Sequence, residues 1–152
     1  MITIDYIAGF VDADGCIGVK RRKPNPANKE RSPVHRPYLT IANTNRKILE
    51  DIKKVLKHGN ISTVKRVKAH WKVGYAYEIC GTQKLFPVLE ILIKHLIVKK
   101  SRAEKILQYK IYFTNAYGRG NQYSGKQTLP KNILDKREEL YSWCKKANKK
   151  GI

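Results

Sequence analysis

The chain has 152 residues and a formal net charge of +20, with 32 Lys and Arg against 12 Asp and Glu. This length allows one compact domain with a hydrophobic core and is too short for two ordinary domains. So large a charge repels other copies of the chain and attracts a polyanion, which makes nucleic acid the leading candidate partner. Hydrophobic residues form 41% of the sequence and there are only 6 prolines, which argues against a disordered chain.

The cysteines and the apolar segments exclude several other classes of protein. Cys16, Cys80 and Cys144 form no CxxC pair, so neither a disulfide framework nor a zinc knuckle is indicated. The longest apolar run, 85–98, is interrupted by a proline and by charged residues, and no basic leader precedes an apolar stretch at the N-terminus. We expect an intracellular protein, in a prokaryotic cytoplasm or an organelle, that is not secreted and binds no membrane.

The predicted elements follow a repeating order of one helix and two strands. Capping residues, hydrophobic periodicity and turn residues predict helices over 4–13, 46–56, 84–96, 101–115 and 131–146. Alternating apolar residues predict strands over 16–23, 38–44, 61–68 and 71–80. The pattern αββαββα, with an extra C-terminal helix after a polar loop over 118–125, predicts an α+β fold with antiparallel hairpins.

Acidic and basic residues are separated along the chain. Residues 1–19 contain Asp5, Asp12 and Asp14 but no Lys or Arg, so all basic residues lie in the remainder. Acidic groups beside a basic surface suit an enzyme that acts on a phosphate backbone, because the basic surface holds the substrate while carboxylates recruit divalent cations. The plain alternative is that Asp14 and the glycine after it form a common Asp-Gly turn.

The segment 7–15, IAGFVDADG, closes the first predicted helix and carries the most specific signal. It resembles the signature of the LAGLIDADG homing endonucleases: six of its nine residues are identical to that name, and the other three are apolar. The order of elements extends the resemblance over about the first 115 residues. It implies a homing-endonuclease core over 1–116, with a saddle-shaped antiparallel sheet, and a C-terminal extension of the same domain over 117–152.

The number of signatures bears on the oligomeric state. The family requires two signature helices and this chain has one, so the resemblance implies a homodimer and a near-palindromic DNA target. Ala8 and Gly9 are predicted interface residues, because small residues let a second helix backbone approach. The resemblance implies that Asp12 supports the helix end and the dimer contact. A tight contact within one subunit is the alternative interpretation of the small residues.

The resemblance also implies a set of catalytic residues. Asp14 and Ala13 are the metal-binding positions, with Mg²⁺ or another divalent cation as the expected cofactor. Asn45 falls where the family often positions the hydrolytic water, although a simple N-cap role is equally open. Lys99 falls where the family often has an active-site lysine, although the neighbouring Lys100 could fill that position instead. The alternative interpretation is that Lys99 is an ordinary solvated surface lysine.

The resemblance implies that outward-facing strand residues contact the bases, and the predicted DNA-binding residues lie on or beside the predicted strands. They are Lys20, Arg22, Arg36, Tyr38, Thr40, Lys65, Arg66, Lys68 and Lys72. Charges occur on both parities of the strand predicted over 61–68, so its DNA-facing side stays open. For most basic residues, phosphate contact without sequence information is the expected role.

These observations predict a metal-dependent, homodimeric endonuclease that cuts both strands of a long, specific DNA site and is encoded in an intron or another mobile element. An intron RNA maturase on the same fold, binding RNA through its basic residues, is the alternative. A DNA-binding regulator without cleavage is a third possibility, against which the intact Asp12 and Asp14 argue.

Overall fold

A four-stranded antiparallel sheet organises the protein, whose computed structural model describes residues 1–28, 31–113 and 129–150. The strands are β1 (Gly15–Arg22), β2 (Val34–Asn43), β3 (Asn60–Val64) and β4 (Gly74–Cys80). Their spatial order is β1-β2-β4-β3. Gly18 lies opposite Tyr38, which lies opposite Cys80, so one row of residues crosses three strands.

Five α-helices accompany the sheet among the described residues. They are α1 (Ile4–Asp14), α2 (Arg46–Leu56), α3 (Thr82–Leu92), α4 (Lys100–Gln108) and α5 (Lys131–Lys150). The predicted order αββαββα and the α+β class are confirmed, as is the additional C-terminal helix. In the part of the chain that the structure describes, no helix is both long enough and apolar enough to cross a bilayer.

The hydrophobic core lies between the helices and one face of the sheet. The strand residues of the core that are completely buried are Ile17, Leu39, Ile41, Tyr77 and Ile79. These positions alternate with residues on the opposite face, as the period of two in a strand requires. Helices α1, α2, α3 and α4 all contact the sheet and contribute to this core. The opposite face, the open face, carries the exposed Lys20 and Arg36, while α5 reaches its edge near Gly18.

The second hairpin is shorter than predicted. Strands were expected over 61–68 and 71–80, but β3 ends at Val64 and β4 begins at Gly74. The Arg66 guanidinium donates to the carbonyls of Ala69 (3.0 Å) and Trp71 (3.4 Å), which holds residues 65–73 in a compact turn. A single side chain that satisfies two loop carbonyls thus overrides the strand preference of valine and tryptophan.

The helices after the sheet also depart from prediction at their ends. The helix expected over 84–96 covers 82–92, and the one expected over 101–115 ends at Gln108. A short 3₁₀ turn, Lys110–Phe113, follows it. At this point the Tyr109 N–H donates to the Ile106 carbonyl, three residues back, so the last turn has the tighter 3₁₀ hydrogen-bond pattern.

Helix α5 packs along β1 and completes the core on that side. Leu140 in this helix is completely buried, and the Arg102 guanidinium of α4 donates to the Ala147 carbonyl at 3.3 Å. The helix extends to Lys150, beyond the predicted end at residue 146. The predicted division between residues 116 and 117 and the predicted loop over 118–125 lie outside the described residues.

Candidate active site and nucleic-acid interface

The C-terminal end of α1 leads into β1 without an intervening loop. Asp14 is the last helical residue and Gly15 the first residue of the strand. A Cβ atom at Gly15 would lie 2.7 Å from the Val11 carbonyl oxygen, so only glycine allows this close approach. The junction leaves the Asp14 side chain exposed beside the open face of the sheet.

Asp12, two residues earlier, is engaged in backbone contacts. The N–H groups of Ile97 and Val98 donate to its Oδ2 at 2.8 and 3.1 Å, and the N–H of Lys99 donates to its Oδ1 at 2.8 Å. Burial raises the pKa of this carboxyl, but the three N–H donors and the Lys99 charge outweigh burial and lower the pKa below its usual value. Asp12 thereby ties the end of α1 to the segment that precedes α4.

Lys99 completes a reciprocal contact with the same helix end. Its ammonium group donates to the carbonyl oxygens of Val11 (2.8 Å) and Asp12 (2.7 Å), and the residue is only 8% exposed. Burial, followed by the nearby Arg102 charge, lowers the pKa of this lysine, while the charges of Asp12 and Asp14 act in the opposite direction. A cation at the C-terminus of a helix is favourable, because the carbonyl dipoles point toward it.

These contacts distinguish the two lysines that the sequence left open. Lys99 reaches the end of α1, whereas Lys100 is exposed and begins α4. The predicted pairing of Lys99 with the site around Asp14 stays a proposal, but the structure brings both residues to the same helix end. Asp14 itself makes no side-chain hydrogen bond or ion pair to another described residue, so its oxygens are available to a ligand.

The remaining catalytic prediction concerns Asn45. Its side chain accepts a hydrogen bond from the Ile48 N–H at 3.4 Å, so it caps the N-terminus of α2. Its own N–H donates to Asn43 Oδ1 at 2.8 Å. Within the subunit, Asn45 therefore acts as the N-cap of α2. Its predicted role in positioning the hydrolytic water stays a prediction.

Oxygen donors at the end of α1 suit a hard cation. The described residues hold no cluster of three or more His, Cys, Asp or Glu side chains that could bind a metal ion on its own. Asp14 instead offers a single exposed carboxylate, next to Ala13 at the surface. Mg²⁺ commonly binds through only one or two carboxylates, water and substrate phosphates, so this donor set fits it once a phosphate backbone is near.

The exposed side of α1 carries a small residue flanked by apolar ones. Gly9 is exposed, and a Cβ atom placed there would meet no heavy atom within 4 Å. Tyr6 on the same helix is 48% exposed, and Ile97 and Val98, which Asp12 holds beside it, are 85% and 58% exposed. Ala8 is completely buried and so belongs to the core of its own subunit.

The open face of the sheet gathers the predicted base-reading residues of β1 and β2. Lys20 lies opposite Arg36, and Thr40 lies opposite Glu78 on β4. The Tyr38 hydroxyl contacts the Cys16 thiol at 3.4 Å, and burial raises the pKa of that phenol. Arg22 lies at the exposed end of β1.

The four remaining candidates lie outside the strands, in the turn 65–73. Lys65, Arg66, Lys68 and Lys72 are all exposed there. The Lys68 ammonium lies 5.7 Å from the centre of the exposed Trp71 ring. None of these residues belongs to a strand, so strand alternation does not decide which of them face DNA.

The pairing of Glu78 with Lys20 was not predicted from the sequence. The Lys20 ammonium lies 2.5 Å from Glu78 Oε2 and 5.1 Å from the centre of the Tyr38 ring. The alternation of β4 predicts that Glu78 lies on the polar face, but no pattern in the neighbouring sequence predicts its contact with Lys20 on β1. Asp12 was identified from the signature, although its partners lie 85 to 87 residues away.

The sequence matches the family model described as LAGLIDADG endonuclease over residues 7–117. No curated protein sequence matches the chain. The match covers most of the helices and strands described above, including the α1 end and all four strands.

Solved structures of homing endonucleases share the fold. A crystal structure of I-CvuI in complex with the I-CreI target is 26% identical, covers 93% of this chain and 79% of its own, and has a TM-score of 0.71. The archaeal intron-encoded I-Vdi141I complexed with DNA is 23% identical, covers 94% of this chain and 82% of its own, and also has a TM-score of 0.71. I-TnaI is 22% identical, covers 99% of both chains and has a TM-score of 0.62.

The conditions of the related structures bear on the cofactor. The I-CvuI complex was obtained with 2 mM Mg and contains uncleaved DNA. A second I-CvuI complex, with its own target, was obtained with 2 mM Ca. None of the matches supports the alternative of an RNA maturase.

Proposed function

Because the chain belongs to the LAGLIDADG family of homing endonucleases, we propose that it is a homodimeric, divalent-metal-dependent enzyme that cuts both strands of a near-palindromic DNA site. The observation that carries this proposal is the end of α1, where Asp14 is exposed and the helix is fixed by Asp12 and Lys99. The DNA complexes of I-CvuI and I-Vdi141I support double-stranded DNA as the substrate.

Asp14, with Ala13 beside it, would hold the metal at the scissile phosphate. Mg²⁺ bound there supplies charge stabilisation for the cleaved phosphodiester and a more acidic bound water. Two Asp14 carboxylates within ~4 Å of each other would repel by about 4 kcal/mol at an effective dielectric constant near 20. A divalent cation held by these carboxylates would offset that repulsion, so metal binding would favour dimer assembly at this position.

Lys99 and Asp12 keep the metal-binding carboxylate in place. The Lys99 ammonium occupies two carbonyls at the end of α1, and the Asp12 carboxylate occupies three N–H groups of the segment 97–99. The helix end therefore cannot fray without breaking charged hydrogen bonds, each worth about 1.5–3 kcal/mol. We assign Lys99 a positioning role toward Asp14.

The dimer contact would form along α1. Gly9 leaves room for a second backbone, and Tyr6, Ile97 and Val98 supply exposed apolar surface around it. Helices pack closely where small residues line the contact. Two copies would then place two Asp14 residues near one another and extend two sheets along the DNA.

Cleavage of a DNA library tests the catalytic part of this proposal. We expect the purified protein with Mg²⁺ to produce discrete double-strand cuts in a plasmid or genomic library, and a chelator to abolish them. Asp14→Asn should lower the cleavage rate by at least about a hundredfold, because the metal contributes several kcal/mol to the transition state. Binding to the same fragments, measured in Ca²⁺ by gel shift, should persist.

Asp135→Asn on α5 is the matched control, since it removes one exposed carboxylate far from α1. It should cut like the parent. An Asp14→Asn protein that cuts at the parent rate, or a parent that makes no discrete cut, would contradict the proposal.

A further inference from the structure

The open face of the sheet holds one acidic side chain among basic ones. Glu78 is the only Asp or Glu in the four strands, all of which the structure describes. Lys20 and Arg36 lie on the same face. On a surface that binds a polyanion, a carboxylate repels the phosphates and weakens non-specific binding. Attraction to the DNA backbone therefore does not explain this residue.

Glu78 is held beside a hydrogen-bond donor. Lys20 extends from β1 across β2, over the Tyr38 ring, and its ammonium reaches Glu78 Oε2 at 2.5 Å. The two side chains remain 51% and 35% exposed, so both polar ends are at the surface. The face thus presents a donor and an acceptor side by side, in a geometry fixed by three adjacent strands.

Stability of the fold does not account for the pair. Exposed ion pairs between lysine and a carboxylate contribute little, because water screens them and two flexible side chains must be ordered. The residue opposite Glu78 on β2 is Thr40 and the one on β3 is Asn60, neither of them charged. The four strands contain no other carboxylate, so Glu78 is not part of a row of ion pairs across the sheet.

We propose that Lys20 and Glu78 together recognise one G·C base pair in the major groove of each half-site, an inference that rests on the proposed DNA endonuclease function. Lysine donates to guanine O6 and N7, and a carboxylate accepts from cytosine N4. Guanine O6 and cytosine N4 are hydrogen-bonded to each other, so they lie about 2.9 Å apart. The Lys20 ammonium and Glu78 Oε2 are 2.5 Å apart, so the donor and the acceptor are close enough to contact these two neighbouring base groups together.

The other base pairs fit this donor and acceptor less well. A C·G pair places its amino group against the ammonium and its acceptors against the carboxylate, so both contacts become repulsive. A T·A pair offers O4 and N6 in the right order, but it places the thymine methyl beside Lys20 and the adenine N7 acceptor beside Glu78. Only G·C offers a second acceptor next to the ammonium and none next to the carboxylate.

Selection from randomised DNA duplexes tests this assignment. We expect the parent protein to enrich a site with a G·C pair at one position of each half-site. Glu78→Gln should lower the preference for that pair by about tenfold and leave the other positions unchanged, since a good base contact discriminates by about 5- to 150-fold. Non-specific affinity should rise or stay constant, because the substitution removes a negative charge.

Glu90→Gln is the matched control, because Glu90 forms an exposed lysine pair of similar length, 2.6 Å to Lys110, on α3. Its selected site should equal that of the parent. The double variant Lys20→Glu/Glu78→Lys keeps the ion pair but exchanges donor and acceptor, so it should select C·G at the same position. A purely structural pair would leave the preferred base unchanged.

The outcomes separate the two proposals. If the parent selects a defined site and Glu78→Gln selects the same bases at every position, the pair does not read DNA and the inference is wrong, while the endonuclease proposal stands. If the exchanged variant keeps the G·C preference, the inference is likewise wrong. If the parent enriches no sequence, the proposed function and this inference both fail.

Discussion

At the scale of single residues, the signature segment combines an exposed acid with a structural one. Asp14 is exposed, whereas Asp12 accepts three backbone hydrogen bonds from residues 97–99. Both are Asp in the same helical turn, and their surroundings alone separate their roles. A carboxylate that accepts from several N–H groups behaves as a capping group, whereas an exposed carboxylate without such donors is available to a cation.

The stability of the protein should depend on Asp12 in a pH-dependent way. Its folded-state pKa is lowered, so its stabilisation is complete above the unfolded value of about 4 and is lost as pH falls through the folded pKa. Asp12→Asn should lower the free energy of unfolding at pH 7 by about 1–3 kcal/mol. The difference from the parent should shrink below pH ~4, as urea unfolding at several pH values will show.

Asp51→Asn provides the comparison for this experiment. Asp51 faces Lys54 at 3.6 Å on the exposed side of α2, so its removal should change stability by less than about 0.5 kcal/mol. A deficit for Asp12→Asn that stays constant from pH 7 to pH 3 would contradict the assigned role.

Asp14 could be predicted from the sequence because its motif is contiguous. The hydrogen-bond partners of Asp12 could not be predicted in this way. The hydrogen bonds of Asp12 join residues more than 80 positions apart, and no local pattern encodes such a contact. The same holds for Glu78, whose partner Lys20 is 58 residues away. Arg66 has a local role, closing a turn, which its charge does not reveal.

At the scale of elements, local signals fixed the helices that have strong caps. Helix α2 has the predicted bounds, because Asn45 begins it and hydrophobic residues repeat along one side. The bounds of β3 and β4 were overestimated, since β-branched and aromatic residues extend the strand pattern into the turn 65–73. The extra helix α5 was predicted, but its packing against β1 is a tertiary feature.

Helix α5 should be required for the stability of the whole domain. Leu140 is completely buried and belongs to the same core as α1 and β1. Leu140→Ala should therefore cost about 2–5 kcal/mol and leave a single cooperative transition in thermal or urea unfolding. Leu134→Ala, at a half-buried position of the same helix, should cost less.

Two separate transitions would instead mean that α5 is an independent appendage. So would a Leu140→Ala protein with the same midpoint as the parent. Either result would contradict the assignment of the C-terminal helix to the same domain as the sheet.

At the scale of the whole molecule, the proposed activity depends on two copies meeting along α1. The exposed Gly9 has room for a larger side chain within its own subunit, so a substitution there probes the partner alone. Replacing glycine inside a helix stabilises the isolated helix by up to about 1 kcal/mol. A dimerisation defect can thus be separated from unfolding.

Gly9→Arg should keep the far-UV circular dichroism of the parent, unfold in one cooperative transition and sediment as a monomer, with its melting temperature lowered only by the lost stabilisation from dimer association. Cleavage should fall below detection, because one subunit supplies only one Asp14. Ser142→Arg, which adds the same side chain to an exposed position of α5, should remain dimeric and active. A Gly9→Arg protein that remains dimeric by analytical ultracentrifugation would exclude α1 as the interface.

The absence of a loop between α1 and β1 has a geometric consequence for the target site. Asp14 and Lys20 are separated only by strand residues, and six residues of strand span about 20 Å. Along a duplex that follows the strand, that length is about six base-pair steps of 3.4 Å. If Asp14 lies at the cut and Lys20 reads a base, as proposed, the covalent length of β1 would set the number of base pairs between the recognised G·C and the cut. Inserting one residue in β1 would then shift that spacing and reverse which side chains face the groove.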